Sequence, residues 1–431
     1  MSSDGPTFTL HHVRVLEQDG GFSGETDVLV EGGVVRAVGS GFVAPPGAPS
    51  YDLSGLWLMP GVFDCHDHVA TSTTSESELL RAPLSYGHFE TVRNLRNTLD
   101  AGVTHVRDAG GTDAGVRRAV EEGIVPGPRL QIAVMLLSQT GGHGDMYSER
   151  LGVEPDPVFR ELLMAVDGVE DVRLAVRRML RAGADWIKLA TTGGVVTPHD
   201  TPYDLGFTRE EIEVAVAEAS RRSKPVMTHA IAGEGIDLAV AAGVRSVEHG
   251  TLLTERQAAA MAKAGCWLVP TLSVIRDLID STLPAEGEKP LAPPYALQKV
   301  LELQDRYGEC VRVARDAGVR IALGTDCIDR RQHGHNLREI ALLHEAGMPL
   351  EEALLAATAG GAELCGVDHL YGRLAPGYVF DAVVLGEDPS DASVFRRRET
   401  VREVFKGGHA CRTGGELLAE RGQGSQGGTA S

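Results

Sequence analysis

Apolar positions along the chain follow two rhythms. Eight short β-rich runs, at 57–66, 103–109, 130–137, 186–191, 225–230, 246–250, 267–273 and 320–326, alternate with helical stretches such as 170–182 and 208–222. In the latter, apolar residues recur at three- and four-residue spacing, which predicts amphipathic helices. Thr208 with Glu211, and Thr254 with Gln257, have the spacing of a capping box, in which each side chain satisfies a free N–H at a helix start. Repeated strand–helix units predict parallel strands joined by crossover helices, and eight of them predict closure into an α/β (β/α)8 TIM barrel.

The two ends of the chain behave differently. Runs at 8–16, 27–30 and 34–38, broken by glycine pairs, predict antiparallel hairpins, and the segments 378–385 and 400–405 look alike. The expected organisation is therefore a small β-sandwich domain built from 1–58 and 376–412 around a barrel over 59–375. The tail, 413–431, is rich in Gly, Ser and Gln and is expected to be disordered.

Ionisable residues sit where barrel strands end. The first run closes on Asp64-Cys65-His66-Asp67-His68, and residues two apart on a strand face the same way, so His66 and His68 can aim two imidazoles at one metal. Lys188 lies within an apolar strand, His229 ends Val226-Met227-Thr228-His229, His249 follows Ser246-Val247-Glu248, and Asp326 closes Leu323-Gly324-Thr325. Strand ends of a barrel converge on one catalytic face. A single such residue reads better as a satisfied core group; the pattern repeated on four strands alongside HxH points to a site. His143, in a Gly-rich loop after the third strand, is a candidate oxyanion donor or substrate-carboxylate partner, with a plain turn histidine as the alternative. The loop after Asp326 carries Arg330, Arg331 and His333, of which His333 is taken as a substrate-binding candidate and the arginines as solvated.

Charge narrows the partners. The 431 residues carry a formal charge of -19, which repels phosphate backbones and anionic lipid, so neither nucleic acid nor a membrane surface is expected as a partner. The start, MSSDGPTFTL, lacks a basic segment followed by an apolar stretch, and no apolar run is long enough to span a bilayer, so a cytoplasmic location is the default. Six scattered cysteines without a CxxC pair read as reduced thiols, Cys65 and Cys327 among them as small buried hydrophobes.

The motifs together resemble the amidohydrolase superfamily, close to its prolidase-like and imidazolonepropionase-like branch. The likeness rests on Leu58-Met59-Pro60-Gly61-Val62-Phe63-Asp64 leading into HxH, on Val103-Thr104-His105-Val106-Arg107-Asp108, Thr140-Gly141-Gly142-His143-Gly144-Asp145 and Thr192-Gly193-Gly194-Val195, and on Gly372-Arg373-Leu374-Ala375-Pro376-Gly377 with Asp381-Ala382-Val383-Val384. The resemblance implies a metal-dependent hydrolase that cleaves a C–N amide bond with a hydroxide bridging two divalent ions, zinc by expectation. It implies His66, His68 and Asp326 at one metal, His229 and His249 at the other, and Lys188 carboxylated by carbon dioxide so that its carbamate bridges both. It further implies Asp326 as the proton shuttle. An uncarboxylated Lys188 neutralised by Asp326 beside a single metal is the alternative. The expected substrate is a small molecule, a prolidase-type dipeptide or an N-acyl amino acid; a homo-oligomer is compatible. Relatives of the dipeptidase type often place an aromatic residue soon after the fifth-strand histidine, whereas Ile231 and Ala232 stand here. A cyclic-amide hydrolase or deaminase is the rival enzyme, and a catalytically silent binding protein the rival from another class.

Overall fold

The computed structural model describes residues 5–42, 44–79, 81–145, 147, 164–284 and 289–412. The tail expected to be disordered lies outside the described residues. The N-terminal strands β1 (Phe8–Leu16), β2 (Phe22–Glu31) and β3 (Val34–Gly39) are successive antiparallel neighbours. Both β4 (Ser50–Asp52) and β5 (Trp57–Pro60) then return parallel to β1.

A change of sheet follows at Gly61, where any Cβ would collide with the Thr104 side chain. The glycine lets the chain turn hard against its future neighbour. The run 57–66 is thus two strands, β5 in the terminal sheet and β6 (Val62–Asp67) in a parallel system. That system continues through β7 (Val103–Asp108), β8 (Arg129–Ile132), β9 (Leu136–Ser138), β10 (Met164–Ala165), β11 (Ile187–Ala190), β12 (Val226–Ala230), β13 (Ser246–His249) and β14 (Trp267–Val269). The strands form two parallel groups, β6-β7-β8 and β10-β9-β11-β12-β13-β14.

Backbone hydrogen bonds join the groups at both edges. The run 130–137 is broken at Val134, which has φ 66°, and the Asp185 and Trp186 amides both donate to Ile132 O, at 2.7 and 3.2 Å. At the other edge, 320–326 forms one isolated bridge, Ile321 to Leu268, rather than a continuous strand. The Ala322 amide donates to Leu268 O at 3.1 Å, while Cys65 N donates to Leu323 O at 2.8 Å and Thr325 N to His66 O at 3.0 Å. The eighth segment therefore hydrogen-bonds to β14 on one side and β6 on the other.

Amphipathic helices cover these strands. Val169–Arg181 and Arg209–Ser220 turn Val172, Val176, Ile212 and Ala215 inward, and both expected capping boxes are formed, Thr208 with Glu211 and Thr254 with Gln257. Among the described residues no helix is long and apolar enough to cross a membrane.

The chain finally returns to the first sheet. β15 (Ala382–Leu385) pairs antiparallel with β5 and with β16 (Val401–Lys406), and β17 (His409–Ala410) ends the order β17-β16-β15-β5-β1-β2-β3. This sheet has its own apolar core, in which the Phe8, Phe380 and Phe405 rings lie 5.2–5.6 Å apart.

Candidate active site

The C-terminal ends of β6, β11, β12 and β13 and the segment 320–326 meet at one cavity of about 100 Å³. His66, His68, His143, Lys188, His229, His249 and Asp326 line it, and Leu136, Val195, Ile231, Val274, Ile275 and Leu278 supply aliphatic walls. Seven of the eight residues singled out in the sequence are thus neighbours in space. The backbone is strained where it delivers them: His249, Thr271 and Asp326 have φ of 70°, 49° and 56°, left-handed values that non-glycine residues rarely adopt.

Each imidazole is oriented by a partner on one ring nitrogen. His66 Nδ1 lies 2.7 Å from Glu248 Oε2, which leaves Nε2 facing Lys188 Nζ at 3.3 Å and Asp326 Oδ1 at 3.6 Å. His68 Nδ1 is 2.8 Å from Gly110 O, and its Nε2 lies 3.3 Å from the same Asp326 oxygen. With Nδ1–H donating outward, each ring presents an Nε2 lone pair to the centre, the arrangement that metal-binding histidines use. His229 is held through Nε2 by Gly193 O at 3.1 Å, and His249 through Nδ1 by Thr271 Oγ1 at 2.7 Å. Donor atoms of His66, His68 and Asp326 all lie within 4.8 Å of one another.

Burial decides protonation here. It pushes the His66 and His229 imidazoliums well below their usual range, helped by Lys188 and by His143 respectively, and lowers His249 to about 4 against the opposing charge of Asp326. Burial likewise lowers Lys188 to about 8, although Glu248 and Asp326 oppose it. For Asp326 burial acts upward, yet His66, His68 and His249 outweigh it and hold the carboxyl below the usual range. His68 differs: burial acts downward, but the Asp326 carboxylate raises its imidazolium, so three neutral imidazoles, one imidazole drawn toward its charged form and a carboxylate surround the centre, donor types that suit a divalent cation.

His143 stacks on His229 with ring centroids 3.9 Å apart, and its Nδ1 lies 3.0 Å from Asp200 Oδ2. Asp200 is shared with the Gly194 amide and with Lys299 Nζ, at 2.8 and 3.2 Å.

His333 is placed elsewhere, and the expectation that it binds substrate is corrected. Its side chain is fully buried, with Nε2 3.0 Å from Thr71 O and Nδ1 3.7 Å from Asp67 Oδ2, outside the cavity lining. The loop after Asp326 folds back behind β6 because Asn336 Nδ2 donates to Asp64 Oδ2 at 2.8 Å; from this loop Ile328 reaches the cavity. Arg330 is engaged by Glu78 and Glu90, and Arg331 by Asp329.

Sequence reasoning missed the residues behind the histidines. Glu248, without exposed surface, accepts from His66, from Ser246 Oγ and from Arg107 Nη2 at 2.8 Å. Arg107, equally buried, also donates to Cys65 O and lies 4.5 Å over the Trp186 ring. Their signal in the sequence is a charged residue within a β-rich run, which does not by itself separate support of a ligand from a core ion pair.

Comparison with known proteins agrees with this geometry. Residues 57–411 match the model of the amidohydrolase family. An ochratoxinase of Aspergillus niger is 35% identical over 368 residues, 81% of this chain and 75% of the relative. An imidazolonepropionase of Salinispora arenicola is 29% identical over 83% of this chain and 85% of its own length. Among solved structures, a prolidase complexed with N-methylphosphonate-L-proline superposes with a TM-score of 0.87 at 33% identity, covering 94% of this chain and 99% of that one. With the matched region spanning the site and most of the chain, this protein belongs to the amidohydrolase family, metal-dependent hydrolases of carbon–nitrogen bonds.

Proposed function

We propose that this protein hydrolyses the amide bond of a small molecule bearing an apolar group and a carboxylate, a prolidase-type dipeptide or an N-acyl amino acid. The observation that carries the reading is the convergence of five histidines, one lysine and one carboxylate on an aliphatic-walled cavity. The parallel strands are read as a (β/α)8 TIM barrel over 59–375, and the terminal sheet as a β-sandwich domain from 1–58 and 376–412.

His66, His68 and Asp326 would hold one divalent ion, His229 and His249 a second, and Lys188 would bridge them; a nitrogen-rich donor set favours zinc. Bound there, the ions supply Lewis acidity toward the amide carbonyl and make water acidic near neutral pH. Lys188 is suited to carboxylation because burial lowers its pKa to about 8, so more of the amine is unprotonated than in a free lysine: the ammonium gives up a proton, the amine nitrogen adds to carbon dioxide, a second proton leaves, and a carbamate replaces a cation that would repel metal ions. Asp326 takes a proton from the attacking water and delivers it to the leaving amine. His143, oriented through Nδ1 by Asp200, lines the cavity where it can meet a substrate oxygen. The walls exclude bulk water and favour an apolar substituent, Ile231 standing where an aromatic residue would otherwise grip the substrate.

Elemental analysis of full-length protein purified without chelator and saturated with zinc and bicarbonate should find about two ions per chain. Lys188→Ala should lower occupancy, and short carboxylic acids should partly restore it. At most one ion in the unsubstituted protein overturns the two-metal reading. Turnover confined to cyclic amides, in a screen that includes dipeptides and N-acyl amino acids, overturns the substrate class.

A further inference from the structure

A second cavity, about 430 Å³, is lined by residues of β6, β7 and β8. Phe63 of β6, His105 of β7 and Arg129 and Gln131 of β8 line it, with Tyr371 and Lys406 beside them. Its polar lining is rich in donors. The Lys406 ammonium spends one N–H on Gly127 O at 2.6 Å, and Arg129 gives Nη1 to Asp381 while lying 4.8 Å over the Tyr371 ring. His105 is neutral, its imidazolium disfavoured by burial and then by Arg129 and Lys406. Its Nδ1 lies 3.1 Å from the Thr104 hydroxyl and 3.7 Å from Asp381 Oδ2, while Nε2 is buried and without a hydrogen-bond partner among the described residues. A buried polar atom left without a hydrogen bond costs free energy that a suitable ligand atom would recover.

Acceptors on the lining are scarcer. The Gln131 carbonyl is taken by Trp186 Nε1 at 2.7 Å, and Glu121 is the one carboxylate of the lining. The rest of the wall is apolar: Phe63, stacked on His105 at 4.2 Å, with Val120 and Leu130 among the aliphatics. We propose that this cavity is a second binding site, for a small organic acid whose carboxylate meets Lys406, Arg129 and His105 and whose aryl or alkyl body meets the apolar wall.

Occupancy would be felt at the catalytic residues through side chains in direct contact. Gln131 holds Trp186, Arg107 packs over Trp186, Arg107 donates to Glu248, and Glu248 orients His66. Such a chain of packed and hydrogen-bonded side chains is one route by which occupancy of one site is felt at another. Binding itself does not depend on the hydrolytic reading; only the kinetic readout of coupling does.

Calorimetric titration of the zinc-loaded full-length protein with phenylacetate tests the proposal, with inorganic phosphate as the comparison ligand. One saturable event is expected, with phenylacetate preferred, and its Kd should rise about tenfold or more in Lys406→Met, which removes a charged donor, and in Val120→Phe, which fills the cavity. Thermal melts confirm that each variant is folded, and Asp326→Asn should bind phenylacetate as the unsubstituted protein does. In turnover assays phenylacetate should alter kcat rather than compete with substrate, and Lys406→Met should abolish that effect. Binding lost in Asp326→Asn but kept in Lys406→Met puts the acid in the catalytic cavity and overturns the proposal. Absence of saturable binding does the same, and preference for phosphate overturns the organic-acid assignment.

Discussion

Glu248 carries two loads: it fixes the ring of His66 and neutralises Arg107, both without contact with solvent. Glu248→Gln keeps the volume but leaves a buried guanidinium without its counter-charge. Stability should fall by on the order of 3 kcal/mol, and zinc affinity by roughly 10–100-fold, measured by chemical unfolding and chelator competition. Zinc affinity unchanged in a destabilised protein would reduce Glu248 to a scaffold group. For His143→Ala, metal content should hold while activity on a carboxylate-bearing amide drops. A fall in kcat assigns the oxyanion, and a rise in KM on the free acid but not on its methyl ester assigns the substrate carboxylate. Unchanged constants on every substrate remove His143 from both roles. The residues facing the cavity could be picked from sequence because histidine at a strand end is conspicuous. Glu248 and Arg107 could not, since a charged residue in a buried strand reads the same whether it supports a ligand or satisfies a core contact, and Asp200 lies in a loop, where an aspartate is unremarkable. His333 misled for the opposite reason: charge in a loop near the site says nothing of which way the loop folds.

Helix Leu272–Asp280 begins at Thr271, whose left-handed backbone gives no side-chain cap. A neighbouring helix supplies one: Glu339 accepts from Leu272 N and Ser273 N, each at 2.7 Å, and from Ser273 Oγ at 2.6 Å. Burial nevertheless pushes this carboxyl up to about 7 from 4.5, against those three bonds and the charge of Arg338. The folded chain therefore holds the proton more tightly than the unfolded chain, so this contribution to stability is complete below about pH 4.5 and is lost as pH rises through about 7. Urea unfolding at a series of pH values should show a decline over that window, and Glu339→Gln should flatten it; an equal slope in both proteins would refute the assignment. The two capping boxes were legible because they rest on a fixed three-residue spacing. The segment 320–326 has a strand's composition but pairs by scattered hydrogen bonds, because its end is bent to deliver Asp326. The run 267–273 likewise ends as a strand at Val269 and becomes a helix at Leu272, where tertiary contacts with Glu339 override local preference.

At the scale of the whole molecule, alternating strands and helices announced the parallel architecture, whereas pairing between the chain's two ends carried no local signal. That pairing has a consequence in time. β15 occupies the middle of the terminal sheet, between β5 and β16, with Ala382 opposite Pro60 and Leu385 opposite Trp57. During synthesis β5 therefore waits with one edge unpaired while about 320 further residues are made, roughly 20–60 s at ordinary rates of translation. An open strand edge invites pairing with another chain. A polypeptide ending at residue 381 should accumulate as aggregate, and supplying 382–412 as a separate peptide during refolding should recover soluble protein, as fractionation by centrifugation would show. Equal solubility of the shortened and full-length chains would mean that β5 needs no partner. The nascent chain thus depends on whatever shields β5 from its neighbours on the same polysome until residues 382–412 emerge.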